Sequence, residues 1–216
     1  MIKVMLVDDH KLFREGIQLL LKANYSHHIE VVAEADSGQT CLSKLHRVKP
    51  DIILLDINMP TMSGIETLQV LQNRRKRPKI LILSGDTHSA CLFQSMHLGA
   101  DGYIIKNSGI DELVFAIDCV YQGELFIQSN LLPLFNTMII AHNLEQKKIA
   151  TLSKREMEVL KFTALGYLNR EIGDLLCISE RTVKNHLSAI FRKIECIDRT
   201  QAALFCVRNG IISIYD

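Results

Sequence analysis

The chain has 216 residues, of which 48% are hydrophobic and 23% charged, and its formal net charge is +1. This composition excludes general disorder, and the length allows one large domain or two smaller ones. The near-zero charge excludes a strong global attraction to nucleic acid or membranes, although a small basic face can exist within a neutral total. No apolar run approaches the roughly 18 residues of a membrane span, and no secretory signal is present. We therefore expect a cytoplasmic protein without a transmembrane helix.

Residues 1–121 alternate short apolar runs with stretches that have the spacing of an amphipathic helix. The apolar runs predict strands at 2–7, 29–33, 52–55, 80–83 and 103–105. Their near-continuous content of β-branched residues and leucine is typical of strands buried on both faces of a parallel sheet. Five such strands alternating with helices predict a doubly wound α/β domain with a five-stranded parallel sheet.

Polar side chains follow several of these strands at the point where each strand ends. Asp8 and Asp9 follow the first strand, and Asp56 ends the third. Ligands of such sheets bind beyond the carboxyl ends of the strands, where Ser84 and Lys106 also lie. Converging carboxylates repel one another, and a Mg²⁺ (or Mn²⁺) ion would offset that repulsion. The set therefore predicts phosphoryl chemistry with one carboxylate as nucleophile, the alternative being a solvated cluster that only caps helices.

The pattern loosens over residues 122–150, which we interpret as a linker. Residues 131–140 predict a short helix, and the polar stretch 142–148 follows it.

Residues 151–216 predict a small all-α domain of four short helices, each with a recognisable start. Ser153 and Glu156 have the spacing of a capping box, and three further residues are predicted N-caps: Asn169, Ser179 and Asp198. A three-residue turn at 177–179 separates a short helix from a longer, polar one, which is typical of a helix-turn-helix reader of DNA. The alternative is a solvated polar face on a structural bundle.

Four separated motifs in the first domain resemble the bacterial response-regulator receiver domain: residues 7–10, 55–60, 83–85 and 103–106. The resemblance covers residues 1–121 and implies a flavodoxin-like fold. It implies that Asp56 accepts a phosphoryl group from a sensor histidine kinase, and that Ser84 and Tyr103 form a switch pair beside the phosphoryl contact Lys106. It also implies a set of metal ligands: Asp9, Asp56, the backbone carbonyl of Asn58 and, through water, Asp8.

The second domain resembles the LuxR-type helix-turn-helix in its motifs at 152–156, 166–172, 178–186 and 199–202. The whole chain is thus similar to NarL/FixJ-type response regulators, which implies homodimers on inverted DNA half-sites after phosphorylation. The resemblance places three residues at base edges: Lys184, Asn185 and Ser188. It places five near phosphates: Arg181, Thr182, His186, Lys193 and Arg199. Gly173 departs from the usual alanine, and we expect it to soften its helix by up to about 1 kcal/mol.

Two other functions compete with a phosphorylation-switched transcription factor. An aspartyl-phosphate hydrolase needs a second acid two residues after the nucleophile, and Asn58 stands there, so we expect no enzyme. A phosphorylation-independent regulator that acts through protein partners remains the other alternative. Asp86, two residues beyond Ser84, is predicted to hold a hydrolytic water, so that Asp86→Ala would lengthen the phosphorylated lifetime.

Overall fold

The computed structural model describes residues 1–74, 76–85 and 89–212. The chain divides into two compact units, the first over Met1–Met138 and the second beginning at Ile139. Within the described ranges, no helix is both long and apolar enough to cross a membrane.

In its described residues, the first unit is built on a parallel six-stranded sheet in the order β2-β1-β3-β4-β5-β6. Its strands are β1 (Ile2–Val7), β2 (Ile29–Ala35), β3 (Ile52–Asp56), β4 (Lys79–Ser84), β5 (Gly102–Ile105) and β6 (Phe126–Ile127). The doubly wound parallel sheet is confirmed. The sixth strand was not predicted, because it has only two residues, which pair with Gly102 and Tyr103 of β5.

Helices cover both faces of this sheet. They are α1 (Lys11–Tyr25), α2 (Gly38–Val48), α3 (Gly64–Gln72), α4 (Ser89–His97) and α5 (Ile110–Gln122). Alternate residues along the strands feed two cores: one face packs with α1 and α5 around Leu54 and Ile104, and the other with α2, α3 and α4 around Leu55 and Ile82. Strands buried on both faces explain why their sequences are almost continuously apolar.

A turn of 3₁₀ helix (Ser129–Leu131) leads into α6 (Leu132–Ala150), which is longer than the helix predicted over 131–140. The polar residues beyond 140 include glutamate, glutamine and lysine, which are good helix formers, and no glycine or proline interrupts them. Pro133 lies in the first turn, where proline is tolerated. The division between the two units falls within this helix.

The second unit continues with α7 (Lys154–Ala164), α8 (Asn169–Leu176), α9 (Glu180–Ile194) and α10 (Arg199–Arg208). These four helices match the four that the sequence predicts, and they enclose a core that includes Leu160, Ile172 and Ile190. The N-terminal part of α6 belongs to the first unit, so only its later residues join this bundle.

Capping explains where these helices begin. Ser153 Oγ accepts from the Glu156 backbone N–H at 3.2 Å, and the Glu156 carboxylate accepts from the Ser153 N–H at 2.7 Å, which completes the predicted capping box. Ser179 and Asp198 also cap as predicted. The prediction for Asn169 is wrong by one residue: it is the first residue of α8, and the N-cap is Leu168.

The structure gives a reason for glycine at position 173 that the sequence did not show. A Cβ atom there would lie 2.7 Å from the backbone oxygen of Ile178, so alanine would force the backbone to move. The N–H of Ile178 also donates to the Gly173 carbonyl at 2.9 Å. The glycine therefore allows α8 to pack closely against the turn that leads into α9, which the expectation of simple softening did not include.

Candidate functional site

The three predicted acidic residues of the pocket lie at the edge of the sheet where the direction of chain winding reverses. Strands β1 and β3 are neighbours, so Asp8, which follows β1, and Asp56, which ends β3, lie at the same edge. Their side chains are buried, with only 3% and 2% of the side-chain surface exposed. Asp9, the next residue after Asp8, is partly exposed. The structure therefore brings the three predicted carboxylates together.

Lys106 supplies the positive charge of this pocket. Its Nζ lies 2.7 Å from Asp8 Oδ2 and 2.9 Å from Asp56 Oδ2, and 5.0 Å from the centre of the Phe13 ring. The backbone N–H of Lys106 donates to the carbonyl of Ser84 at 2.7 Å, which fixes the lysine to the end of β4. One partly buried cation thus contacts two of the three carboxylates.

The protonation of this pocket follows from burial and pairing. Burial raises the pKa of Asp56 above its ordinary value, while the contact with Lys106 opposes that shift. Burial alone would lower the pKa of Lys106, but its bonds to Asp8 and Asp56 outweigh burial and raise it. Lys106 therefore stays protonated near neutral pH and favours the ionised form of Asp56, which is the form a nucleophile requires.

The donor atoms of this pocket suit a divalent cation. Oxygen atoms of Asp8, Asp9 and Asp56 and a ring nitrogen of His10 all lie within 4.8 Å of one another. The buried oxygen Asp9 Oδ1 lies 2.9 Å from the ring nitrogen Nδ1 of His10. Carboxylate oxygens are the ligands that Mg²⁺ prefers, so the residues present fit this ion.

The remaining predicted residues of the pocket lie around it. Ser84 ends β4 and is 1% exposed, and Tyr103 lies in β5 and is also 1% exposed. Asn58 is exposed, and its backbone N–H bonds to the Asp56 carboxylate. Asp86 lies outside the described residues. A cleft of about 750 Å³ opens beside Asp56 and Lys106 and has an apolar wall from α1.

Two residues that support the site were not predicted. A Cβ atom on Gly64 would lie 2.1 Å from the backbone oxygen of Asp56, so only glycine fits where the following loop returns to β3. Arg14 donates to the Asp8 carbonyl at 2.6 Å and pairs with Glu34 at 3.1 Å. The capping box of Ser63 and Glu66 is a sequence signal for a helix that begins at Gly64. No local sequence pattern indicates the partners of Arg14, which are distant in sequence.

In the second unit, α9 presents one buried and one exposed face. The buried face carries Val183, Leu187, Ile190 and Ile194. Four of the predicted DNA-binding residues are exposed (Arg181, Lys184, Asn185 and Ser188), and two are partly buried (Thr182 and His186). Lys184 Nζ lies 2.7 Å from Glu180 Oε1 in an exposed pair. The exposed face is therefore polar and open to a ligand.

Lys193 and Arg199 make bonds within the protein. Lys193 Nζ contacts both carboxylate oxygens of Glu156, at 2.8 and 2.7 Å, and donates to the Thr151 carbonyl at 3.0 Å. Arg199 donates to the carbonyls of Thr163 and Tyr167. Both cations therefore have a structural role in the bundle, and their contact with DNA phosphates stays a prediction.

A doubly wound sheet with a carboxylate–lysine pocket at its switch point, joined to a helix-turn-helix unit, defines a signalling protein with a DNA-binding part. Residues 4–118 match the response regulator receiver domain family, and residues 150–206 match the luxR family of bacterial regulatory proteins. The chain belongs to the response regulators that combine these two domains and act as transcriptional regulators of two-component systems.

Relatives align over nearly the whole chain. The transcriptional regulatory protein DegU of Brevibacillus brevis is 35% identical and covers 99% of this chain and 96% of its own. The response regulator protein VraR of Staphylococcus aureus is 34% identical, and the alignment covers 98% of this chain and 99% of VraR. The crystal structure of ChrA, the response regulator of a heme-sensing two-component system, has a TM-score of 0.54 at 30% identity, with 98% of each chain covered. RcsB, solved as two dimers bound to two parallel DNAs, shares the fold with a TM-score of 0.57 at 21% identity over 96% of this chain and 98% of its own.

Proposed function

We propose that Asp56 is the phosphoacceptor and that a sensor histidine kinase is the donor. An Asp56 carboxylate oxygen forms a bond to phosphorus as the phosphorus–nitrogen bond to the kinase histidine breaks. The observation that carries this proposal is the buried Asp56 carboxylate held 2.9 Å from Lys106 at the carboxyl edge of the sheet. A buried carboxylate with a fixed cation and access to an open cleft has the environment that a phosphoryl acceptor needs.

Lys106 has two roles in this proposal. Before transfer it favours the ionised form of Asp56 against the effect of burial. After transfer it can pair with an oxygen of the phosphoryl group, with Ser84 as a neighbouring hydroxyl. Asp8, Asp9, Asp56 and the carbonyl of Asn58 would hold Mg²⁺ (or Mn²⁺), which when bound supplies charge neutralisation for the phosphoryl oxygens.

We further propose that phosphorylation promotes a homodimer that reads two inverted half-sites in double-stranded DNA. The polar, exposed face of α9 supports the proposed DNA binding, because a helix-turn-helix inserts its second helix into the major groove. Lys184 can donate to guanine acceptors and Asn185 can pair with adenine in two-point fashion, while the short Ser188 discriminates weakly. Arg181, Thr182 and His186 would lie near phosphates. RcsB, of the same fold, has been solved as DNA-bound dimers.

Sedimentation and DNA binding of the full chain, with and without acetyl phosphate, test the coupling. We expect the phosphorylated wild type to dimerise and to bind paired half-sites more tightly, and Asp56→Asn to respond to the phosphodonor in neither assay. Asp36→Asn, which changes an exposed acid just after β2, is the matched control and should behave like the wild type. Equal responses of the wild type and Asp56→Asn would contradict the proposal and favour a phosphorylation-independent regulator.

A further inference from the structure

Gln128 is a buried polar residue that lies just beyond the short strand β6. Only 8% of its surface is exposed, and its side chain makes bonds in two directions. The amide oxygen accepts from the backbone N–H of Ile105 at 2.9 Å, and the amide nitrogen donates to Glu112 Oε2 of α5 at 3.1 Å. Because an ionised carboxylate can only accept, Glu112 fixes the orientation of the amide and keeps its oxygen directed at Ile105.

The bond to Ile105 continues the β-ladder beyond the end of β6. The backbone N–H of Gln128 donates to the Tyr103 carbonyl at 3.1 Å, and bonds along a parallel ladder recur at every second residue, so Ile105 is the next member of the series. The backbone carbonyl of Gln128 accepts from Leu131 at 2.9 Å, which begins the 3₁₀ turn, and the side-chain oxygen accepts from Ile105 instead. The side chain therefore takes the place of a further strand residue.

Ile105 is the last residue of β5 and directly precedes Lys106, the cation of the pocket. On its other side Ile105 pairs with Ser84 of β4, and the N–H of Lys106 donates to the Ser84 carbonyl at 2.7 Å. The end of β5 is thus held by β4 on one edge and by the Gln128 side chain on the other.

We propose that Gln128 is a positioning residue of the phosphoacceptor pocket. By holding the last residue of β5, it fixes the backbone from which the Lys106 side chain reaches Asp56, 2.9 Å away. Gln128 touches neither Asp56 nor the phosphoryl group in this proposal and acts only through Lys106. The inference rests on the proposed function, because it concerns the same pocket, and it adds a distant residue on which the geometry of that pocket depends.

Amide hydrogen exchange of the full chain, resolved by NMR, tests the bond itself. Gln128→Met keeps roughly the same side-chain volume and loses both bonds, so we expect the Ile105 N–H to exchange roughly tenfold faster. The N–H of Leu54, which is fully buried in the middle of the sheet, should keep its exchange rate. Gln122→Met, at an exposed glutamine that ends α5, is the matched control and should change neither rate. An unchanged rate at Ile105, or equal acceleration at Ile105 and Leu54, would overturn the inference.

The initial rate of phosphoryl labelling by acetyl phosphate and Mg²⁺ tests the positioning of Lys106. We expect Gln128→Met to be labelled at least about threefold more slowly than the wild type, because a small displacement of a group in the pocket slows the transfer. Gln122→Met should be labelled at the wild-type rate. Labelling of Gln128→Met as fast as the wild type would overturn the inference, even if the variant is less stable.

Exchanging the amide and the carboxylate gives a readout that a general loss of stability would not produce. Gln128→Glu alone places two carboxylates against each other and should slow labelling. Adding Glu112→Gln restores one amide and one carboxylate in the opposite order, so that both bonds can form again. We expect the labelling rate of this double variant to return to within about twofold of the wild type. A double variant that is labelled as slowly as Gln128→Glu would overturn the inference.

These outcomes separate the inference from the proposed function. If the wild type is labelled at Asp56 and the Gln128 variants do not show these effects, the role of Gln128 is wrong and the assignment of Asp56 stands. If the wild type is not labelled at Asp56, the proposed function itself is wrong, and the role of Gln128 is wrong with it.

Discussion

The ion pair between Glu156 and Lys193 gives a prediction that combines stability and pH. The Glu156 carboxylate is bonded by Lys193 and by the backbone N–H of Ser153, and these bonds lower its pKa from 4.5 to about 2. One unit of pKa change corresponds to about 1.36 kcal/mol. The shift therefore limits the contribution of the Glu156 interactions to the free energy of unfolding to at most about 3.4 kcal/mol. The Lys193 side chain is 32% exposed, so solvent screens the pair.

We therefore expect Glu156→Gln to lower the free energy of unfolding of the second unit by about 1–2 kcal/mol at pH 7. Glutamine keeps the shape and the capping bond but loses the charge. Because the folded-state pKa is the lower one, the contribution of Glu156 is fully present above pH 4.5 and is lost as pH falls toward about 2. The difference between variant and wild type should thus shrink by more than half at about pH 3.

Hydrogen exchange of peptides from α7 and α9 in the full chain measures this difference at both pH values. Glu158→Gln is the matched control, since Glu158 lies on the same helix in a more exposed pair with Arg155 at 2.9 Å. It should change stability by less than about 0.5 kcal/mol. A Glu156→Gln variant as stable as the wild type at pH 7, or one equally weakened at both pH values, would refute the electrostatic reasoning.

Three further predictions concern the pocket and the DNA-reading helix. Gly64→Ala should reduce phosphoryl labelling of Asp56 by roughly ten- to a hundredfold in intact-mass assays, because the new Cβ would lie 2.1 Å from a backbone oxygen. Gly16→Ala places its Cβ in open space and should not reduce the labelling. Equal labelling of both variants would argue against the steric account. Lys106→Ala should raise the pKa of Asp56 further above its ordinary value in a carbon-13 NMR titration, and an unchanged pKa would contradict the role given to the lysine. Asn185→Ala should cost about 1–3 kcal/mol on cognate DNA and relax one base preference, whereas equal losses on cognate and scrambled duplexes would remove it from the base edges.

The sequence predicted the features that depend on local pattern. Strands such as Ile52–Asp56 are read from continuous apolar content because both faces of the sheet are covered. The meeting of Asp8 and Asp56 follows from parallel strands, whose carboxyl ends share one edge of the sheet. Ser153 was recognisable as a cap because its partner Glu156 lies only three residues away.

The features that were missed depend on distant partners or on weak signals. Strand β6 has two residues, which is too short for a period to be visible. The helix predicted over 131–140 was ended at a change of polarity, although polar residues with good helix propensity continue it. The resemblance placed Lys193 near DNA phosphates, and its bond to Glu156, 37 residues away in sequence, was not predicted. No local pattern encodes such a pair.

Phosphoryl labelling at Asp56 tests the central claim most directly. The full chain is incubated with acetyl phosphate and Mg²⁺, and its intact mass is measured for the wild type, Asp56→Asn and Asp36→Asn. The account predicts one added phosphoryl group on the wild type and on Asp36→Asn, none on Asp56→Asn, and none on any chain when the metal is chelated. Labelling of Asp56→Asn to the level of the wild type would contradict it.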